Sequence, residues 1–132
     1  MSATNVLDDR KYTKEHEWAK KDGAEYVIGI TAFAVDQLGD ITLVSIDVAE
    51  GARVEANKPF GTVESVKTLS DLYCPVSGTV RRVNAALADR PELINEDCWE
   101  QGWMVAIEPD PGADEGALLE PGAYRELLAQ AD

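Results

Sequence analysis

The sequence contains few side chains that could carry chemistry, and the most suggestive is a single lysine. Lys67 lies between two strand-like runs, residues 60–66 and 72–83. A turn between strands projects its side chains into solvent and holds them on a rigid support. An amine placed in this way suits enzymatic acylation, which removes its charge and lengthens the side chain. An ordinary solvent-exposed lysine has the same spacing, so the spacing alone leaves both interpretations open.

The remaining candidates for catalysis or metal binding are weaker. His16 is the only histidine, and Cys74 and Cys98 are the only cysteines and form no CxxC pair. Glu15 and Glu17 flank His16, but strand alternation over 11–18 would place the histidine opposite both of them. We therefore expect no metal site and two free thiols. There is no phosphate-binding loop and no dinucleotide fingerprint.

Charge and composition limit the classes of partner. The 132 residues include 25 acidic and 12 basic ones, which gives a net charge of −13. Such a surface repels nucleic acid and anionic membranes. It suits a more basic protein partner, but it is equally typical of a soluble bacterial domain whose acidic charge serves only solubility. No apolar run is long enough to span a bilayer, and residues 1–13 lack the features of a signal or transit peptide. The expected compartment is the bacterial cytoplasm.

The pattern along the chain predicts many short strands. Thr31 is placed to cap a short helix that Gly39 would end, and Tyr124, Leu127 and Leu128 share one face of a predicted C-terminal helix over 118–130. We expect a flexible segment over 1–10 and one domain over 1–132. Alternation or turn-bounded apolar runs predict strands at 11–18, 24–31, 41–48, 60–66, 72–83 and 102–109, with a short strand inside 50–61. Such a pattern indicates a small sandwich or barrel with helices outside it.

Several motifs together resemble a known family. They are KYTKEHEW, IGIT, LGDI, FGTVESVKTLSDLY, PVSG, NEDCWEQGWM and YRELL, spread from Lys11 to Leu128. The chain is similar to the H protein of the glycine cleavage system, and the stretch from Gly61 to Asp71 is the most specific part. Lys67 matches the lysine that carries lipoate in that family. The resemblance implies a mostly β fold: a lipoyl/biotinyl-type flattened barrel, or barrel-sandwich hybrid, with short peripheral helices and a C-terminal helix.

The resemblance also implies a function that ordinary side chains would not supply. The H protein is a covalent substrate carrier rather than an enzyme, and its lipoyl group does the chemistry while the protein positions it. It receives an aminomethyl group from a pyridoxal-phosphate glycine decarboxylase. A tetrahydrofolate-dependent aminomethyltransferase then takes that group, and dihydrolipoamide dehydrogenase reoxidises the dithiol. A lipoate-attaching enzyme is a fourth implied partner.

Five further positions match the family residue by residue. Glu64 and Gly78 match positions linked to recognition by the lipoate-attaching enzyme. Glu17 and Asp71 match acidic positions near which the aminomethyl-loaded arm docks, and Ile30 matches an apolar wall of that site. A protonated amine is a cation, so carboxylates in a cleft poor in water would hold it.

The chain departs from the family pattern at three places. Glu15 replaces a small hydroxyl residue of some relatives, and Cys74 replaces a serine. Cys98, Trp99 and Glu100 replace Pro-Tyr-Gly, so the loop around them is expected to differ in shape. A thiol near a dithiolane can exchange with it, which makes disulfide exchange at Cys74 a hypothesis.

The sequence leaves several rival functions open. A biotin carrier usually has methionine on both sides of its lysine, whereas Val66 and Thr68 flank Lys67 here. A lipoyl-relay protein, which donates lipoate to other acceptors, is hardly separated by sequence, although Glu17 and Asp71 favour the glycine role. An unmodified adaptor is a third rival, and a hydrolase that depends on His16 is a fourth.

Overall fold

The computed structural model describes residues 6–112 and 118–131, which form two antiparallel sheets and four helices. The strands are β1 (Lys11–Tyr12), β2 (Glu17–Asp22), β3 (Glu25–Ile30), β4 (Ile41–Ile46), β5 (Arg53–Val54), β6 (Pro59–Ser65), β7 (Leu69–Tyr73), β8 (Gly78–Val83) and β9 (Val105–Pro109). The helices are α1 (Ala32–Leu38), α2 (Ala86–Asp89), α3 (Leu93–Glu96) and α4 (Pro121–Ala131). No helix of these residues is both long and apolar enough to cross a membrane.

The two sheets enclose the main core. One sheet has six strands in the order β1-β2-β3-β9-β8-β5, and the other has three in the order β4-β6-β7. Apolar side chains of both sheets meet between them, including Ile28 and Ile107 from the first and Val63 and Leu72 from the second. Burial of this surface from water is the main force that holds the layers together. The predicted mostly β, flattened barrel-sandwich fold with peripheral helices is confirmed.

The capping residues in the sequence correctly predicted where α1 begins and ends. The Thr31 side chain accepts a hydrogen bond from Ala34 N at 3.3 Å, and Gly39 follows the last turn with φ +80°. A positive φ favours glycine because it has no Cβ to collide with the backbone. Both predicted ends of this helix are therefore confirmed.

Three predicted strands differ from the structure. The run 11–18 divides into β1 and β2 around a turn in which His16 has φ +69°, and the run 72–83 divides around residues 74–77. In β4 a register shift between Ile41 and Leu43 interrupts the predicted alternation, so Thr42 is exposed while Val44 is buried. Bulges of this kind insert an extra residue into one strand and reverse which face the following side chains occupy.

A second apolar cluster joins residues near the start and the end of the described chain. Val6, Tyr12, Trp18, Tyr124 and Leu128 form it, so α4 lies against β1 and β2. The predicted C-terminal helix is present, but it begins at Pro121, whose fixed φ suits a first turn, rather than at 118.

Residues 6–10 of the segment that we expect to be flexible make specific contacts in the structure. Val6 is buried, and the guanidinium of Arg10 is buried over the rings of Trp18 and Trp99, 4.6 Å and 5.4 Å from their centroids. The Arg10 guanidinium also pairs with Asp9 and donates to Trp99 O at 2.8 Å. These contacts satisfy the guanidinium, which would be costly to bury without partners. Residues 1–5 lie outside the described part of the chain.

The six-stranded sheet depends on a close contact between Trp18 and Gly29. The two residues are directly opposite each other in β2 and β3. A Cβ added at Gly29 would lie 2.5 Å from Trp18 Cζ2, well inside van der Waals contact. Glycine is required here because the indole ring occupies the space of a side chain.

We predict that Gly29→Ala lowers the free energy of unfolding by about 1–3 kcal/mol, since overpacking forces Trp18 to move. Urea denaturation followed by tryptophan fluorescence measures the change. Gly122→Ala is the matched control, because nothing lies within 4 Å of a Cβ at that helical position. The control should raise stability by roughly 0.5–1 kcal/mol. Equal stability of Gly29→Ala and wild type would contradict the prediction.

Candidate functional site

Lys67 lies at the tip of the hairpin that joins β6 to β7, and Ser65 fixes that tip. Ser65 N donates to Thr68 O at 2.8 Å. The Ser65 hydroxyl accepts hydrogen bonds from the backbone N–H groups of Lys67 and Thr68, at 3.1 Å and 3.2 Å. Ser65 itself is buried, whereas Lys67 is exposed. A buried side chain therefore holds the backbone on which the exposed amine is carried.

The loop between α1 and β4 supports this hairpin from one side. Val66 N donates to Asp40 O at 3.0 Å, and the Lys67 stem passes Gly39, where a Cβ would lie 3.5 Å from Lys67 Cε. Asn95 holds the loop in turn, because its Nδ2 donates to Gly39 O at 3.0 Å and its Oδ1 accepts from Ile41 N at 2.8 Å. Sequence reasoning missed Asn95, whose 56-residue separation from Gly39 gives no local signal.

Glu64 and Gly78 are placed in different sheets. Glu64 is exposed in β6, three residues before Lys67 on the same hairpin. Gly78 is buried at the start of β8, and a Cβ there would collide with the backbone carbonyl of Glu108 in β9. Close strand packing therefore accounts for glycine at position 78 without any contact to a partner.

Glu17, Ile30 and Asp71 line one cleft of about 170 Å³. Glu17 and Ile30 are opposite each other in β2 and β3 and are both buried, whereas Asp71 is exposed in β7. Phe33 and Leu38 from α1 contribute apolar walls to the same cleft. The structure thus brings together the three residues that sequence analysis grouped.

The electrostatic state of Glu17 differs from that of a surface carboxylate. Its Oε2 accepts from Tyr73 N at 2.7 Å and its Oε1 from the Thr13 hydroxyl at 3.3 Å. Burial nevertheless raises the pKa of Glu17 to about 8, because desolvation disfavours the charged form more than these two bonds favour it. At neutral pH the side chain is mostly protonated, and a cation in the cleft would favour its ionisation.

His16 has a structural partner rather than a catalytic one. Its Nδ1 lies 2.8 Å from Tyr124 Oη, which lies 2.8 Å from Thr31 Oγ1, and its ring packs 4.5 Å from that of Phe33. Burial lowers the pKa of His16. The residue lies in a turn, so the strand alternation applied to it was wrong. Among residues 6–112 and 118–131, no group of three or more His, Cys, Asp or Glu side chains is arranged to hold a metal ion.

Cys74 is poorly suited to thiol exchange. It is buried, and its thiol donates to Val76 O at 3.0 Å. Burial raises the pKa of the Cys74 thiol to about 12, so very little reactive thiolate forms near neutral pH. These observations argue against the exchange hypothesis. Cys98 lies in the loop that we expect to differ from the family. It is buried as well, and its backbone carbonyl accepts a hydrogen bond from Trp18 Nε1 at 3.0 Å.

Comparison with known proteins decides the family. The model of the family described as "Glycine cleavage H-protein" matches residues 10–131. The glycine cleavage system H protein of Bacillus cereus (strain B4264) is 50% identical over 130 residues, which are 98% of this chain and 99% of that protein. The chain belongs to the glycine cleavage H-protein family. The counterpart from Halalkalibacterium halodurans is 45% identical over 127 residues, 96% of this chain and 98% of that protein.

A solved relative agrees in three dimensions. The crystal structure of a glycine cleavage system H protein from Mycobacterium marinum matches with a TM-score of 0.82 at 36% identity, over 96% of this chain and 98% of that one. Membership of the H-protein family implies a lipoyl carrier role, and makes the chain a carrier component rather than a catalytic enzyme.

The raised pKa of Glu17 predicts how stability depends on pH. The folded protein binds the Glu17 proton more tightly than the unfolded chain does, so the free energy of unfolding falls as pH rises from about 4.5 to about 8. The fall contributed by one such group is at most about 1.4 kcal/mol per pH unit. Glu17→Gln should remove this component and raise stability at pH 9 relative to wild type.

Urea denaturation at several pH values measures this effect. Glu55→Gln is the matched control, since Glu55 is exposed and lies outside the cleft, and it should keep the wild-type pH dependence. An unchanged slope in Glu17→Gln would show that the carboxyl group is already ionised at neutral pH.

Proposed function

We propose that this chain is the lipoyl carrier that moves aminomethyl groups in glycine cleavage, with lipoate attached as an amide to Lys67 Nζ. The observation that carries the proposal is the position of Lys67, exposed on a hairpin whose backbone Ser65 and Asp40 hold. A rigid base with a free amine suits an acyl group that several active sites must reach in turn. The proposed carrier is a single domain over residues 1–132.

The residues present fit a lipoyl group. Lys67 supplies the attachment point, and its stem lies beside Gly39, where a Cβ would be 3.5 Å from Lys67 Cε. When attached, the dithiolane supplies the sulfur that accepts the aminomethyl group and the redox couple that restores it. Tethering raises the effective concentration of the group near each partner.

The cleft of Glu17, Ile30 and Asp71 is the proposed docking site for the loaded arm. Ile30 and Phe33 exclude water, and Asp71 supplies a carboxylate at the exposed side. Glu17 would release its proton when a cation enters, because an adjacent positive charge favours the carboxylate. A pure lipoyl relay needs no site for an amine, so this cleft favours the glycine shuttle.

The proposed partners are those of the glycine cleavage system. They are the pyridoxal-phosphate glycine decarboxylase, the tetrahydrofolate-dependent aminomethyltransferase, dihydrolipoamide dehydrogenase and a lipoate-attaching enzyme, in the bacterial cytoplasm. We further propose that Glu64 takes part in recognition by the attaching enzyme. Gly78 would act indirectly, by allowing β8 and β9 to pack closely.

We predict that incubation with a lipoate ligase, lipoate and ATP increases the intact mass by one lipoyl group. Lys67→Arg should gain none, because the guanidinium is not acylated, and Lys58→Arg is the matched control that should gain one. Intact-mass spectrometry measures all three. Absence of any gain on folded wild type would contradict the carrier proposal and favour an unmodified adaptor.

A second experiment separates the shuttle from the relay and tests the cleft. With decarboxylase and glycine, about one CO₂ should be released from glycine per lipoyl group, and water should then slowly convert the bound aminomethyl group to ammonia and formaldehyde. Asp71→Asn should accelerate the ammonia loss several-fold, because the cation is held less tightly. Asp36→Asn, an exposed change on α1 outside this cleft, should not. Transfer of lipoate to an acceptor domain without CO₂ release would instead identify a relay.

A further inference from the structure

In the described part of the chain, the exposed large apolar side chains are concentrated around Lys67. Among residues 6–112 and 118–131 they are Leu43, Val66 and Leu69, with 50%, 66% and 63% of their surface exposed. Singly scattered exposed apolar residues need no explanation, but a cluster marks a site of interaction. Val66 directly precedes Lys67, and Leu69 lies two residues after Lys67.

The strand register places two of these side chains in one row with Glu64. Leu43 in β4 is opposite Glu64 in β6, and Glu64 is opposite Leu69 in β7. Directly opposite residues in an antiparallel sheet project from the same face, with Cβ atoms about 4.5–5.5 Å apart. Two exposed leucines therefore flank one exposed carboxylate beside the lysine.

We propose that Leu43, Glu64, Val66 and Leu69, here called the hairpin patch, form the docking surface for the enzyme that acylates Lys67. The inference rests on the proposed function and adds its apolar recognition residues. The expected partner surface presents apolar side chains around one cation, and this cation pairs with Glu64. The net charge of −13 adds a long-range attraction for such a basic partner.

The distance at which each enzyme acts favours the attaching enzyme over the enzymes that act on the lipoyl arm after it has been attached. An attaching enzyme must bring its active site to Nζ itself, so its surface has to cover the neighbouring side chains of the hairpin. In the acylation, lipoate and ATP first give a lipoyl adenylate and pyrophosphate, and an amide bond then forms between Nζ and the acyl carbon of that adenylate. The acyl–phosphate bond breaks, AMP leaves and Nζ gives up protons. Enzymes acting later meet the far end of a longer arm.

The test compares acylation kinetics of folded variants of the full chain. The double variant Leu43→Ser/Leu69→Ser removes the apolar flanks, and Leu43→Met/Leu69→Met keeps them. With a lipoate ligase, lipoate and ATP, we expect the serine variant to raise KM for the carrier at least tenfold with kcat unchanged. The methionine variant should stay within twofold of wild type. Glu64→Gln should raise KM, while the matched charge change Glu55→Gln should not.

A competition experiment measures binding without acylation. Lys67→Arg keeps the hairpin patch and should inhibit acylation of wild type competitively. The triple variant Lys67→Arg/Leu43→Ser/Leu69→Ser should inhibit at least tenfold more weakly. Thermal denaturation must show that each variant unfolds at the wild-type temperature, which is expected because both leucines are exposed.

Particular outcomes would overturn the inference while the proposed function stands. One is acylation of the serine variant with the wild-type KM. Another is unchanged acylation together with slower glycine decarboxylation by the lipoylated variant, which would assign the patch to a later enzyme. Self-association of wild type that the serine variant abolishes, with acylation unchanged, would assign it to a second copy of the chain. Failure of wild type to accept lipoate is distinct, since it rejects the proposed function itself.

Discussion

The hydrogen bond from Val66 N to Asp40 O is the contact on which the presentation of Lys67 depends. An isolated two-stranded hairpin is only marginally stable in water, and its tip would move relative to the rest of the protein. Here the Ser65 hydroxyl fixes the backbone of the tip from within, and the loop after α1 fixes it from outside. Asn95 extends this support to α3 by binding both Gly39 and Ile41. The backbone that carries the amine is therefore held from two sides.

The cleft beside α1 shows how burial changes the chemistry of a familiar residue. Glu17 occupies the position expected for a carboxylate that holds a cation, yet it is 2% exposed and its pKa is raised to about 8. An empty cleft with a protonated acid avoids leaving an unpaired charge in an apolar site. Entry of a cation would reverse the preference, because an adjacent positive charge favours the ionised carboxylate.

The loop around Cys98, Trp99 and Glu100, which we expect to differ from the family, packs into the second apolar cluster. Trp99 packs edge-on to Tyr12 at 6.3 Å and accepts, through its carbonyl, a hydrogen bond from Arg10. Tyr12 in turn stacks on Tyr124, with ring centroids 4.5 Å apart. These contacts join the segment before β2, this loop and α4 in one aromatic cluster. Stacked and edge-on aromatic pairs each add about 0.5–1.5 kcal/mol beyond burial. The changes at Cys98 and Trp99 are thus accommodated by packing rather than by a new site.

The sequence by itself determined the mostly β class, the capped helix α1, the acidic surface and the position of Lys67 between two strands, on which the proposed function depends. These features depend on alternation, capping residues, charge and a motif, which are all local or compositional. Only the tertiary structure decided the division of 11–18 and 72–83 and the bulge in β4, because turns and bulges follow from strand pairing between distant segments. It also decided the raised pKa of Glu17, the support of Gly39 by Asn95 and the row of Leu43, Glu64 and Leu69. Each of these depends on groups far apart in sequence that only the folded sheets bring together.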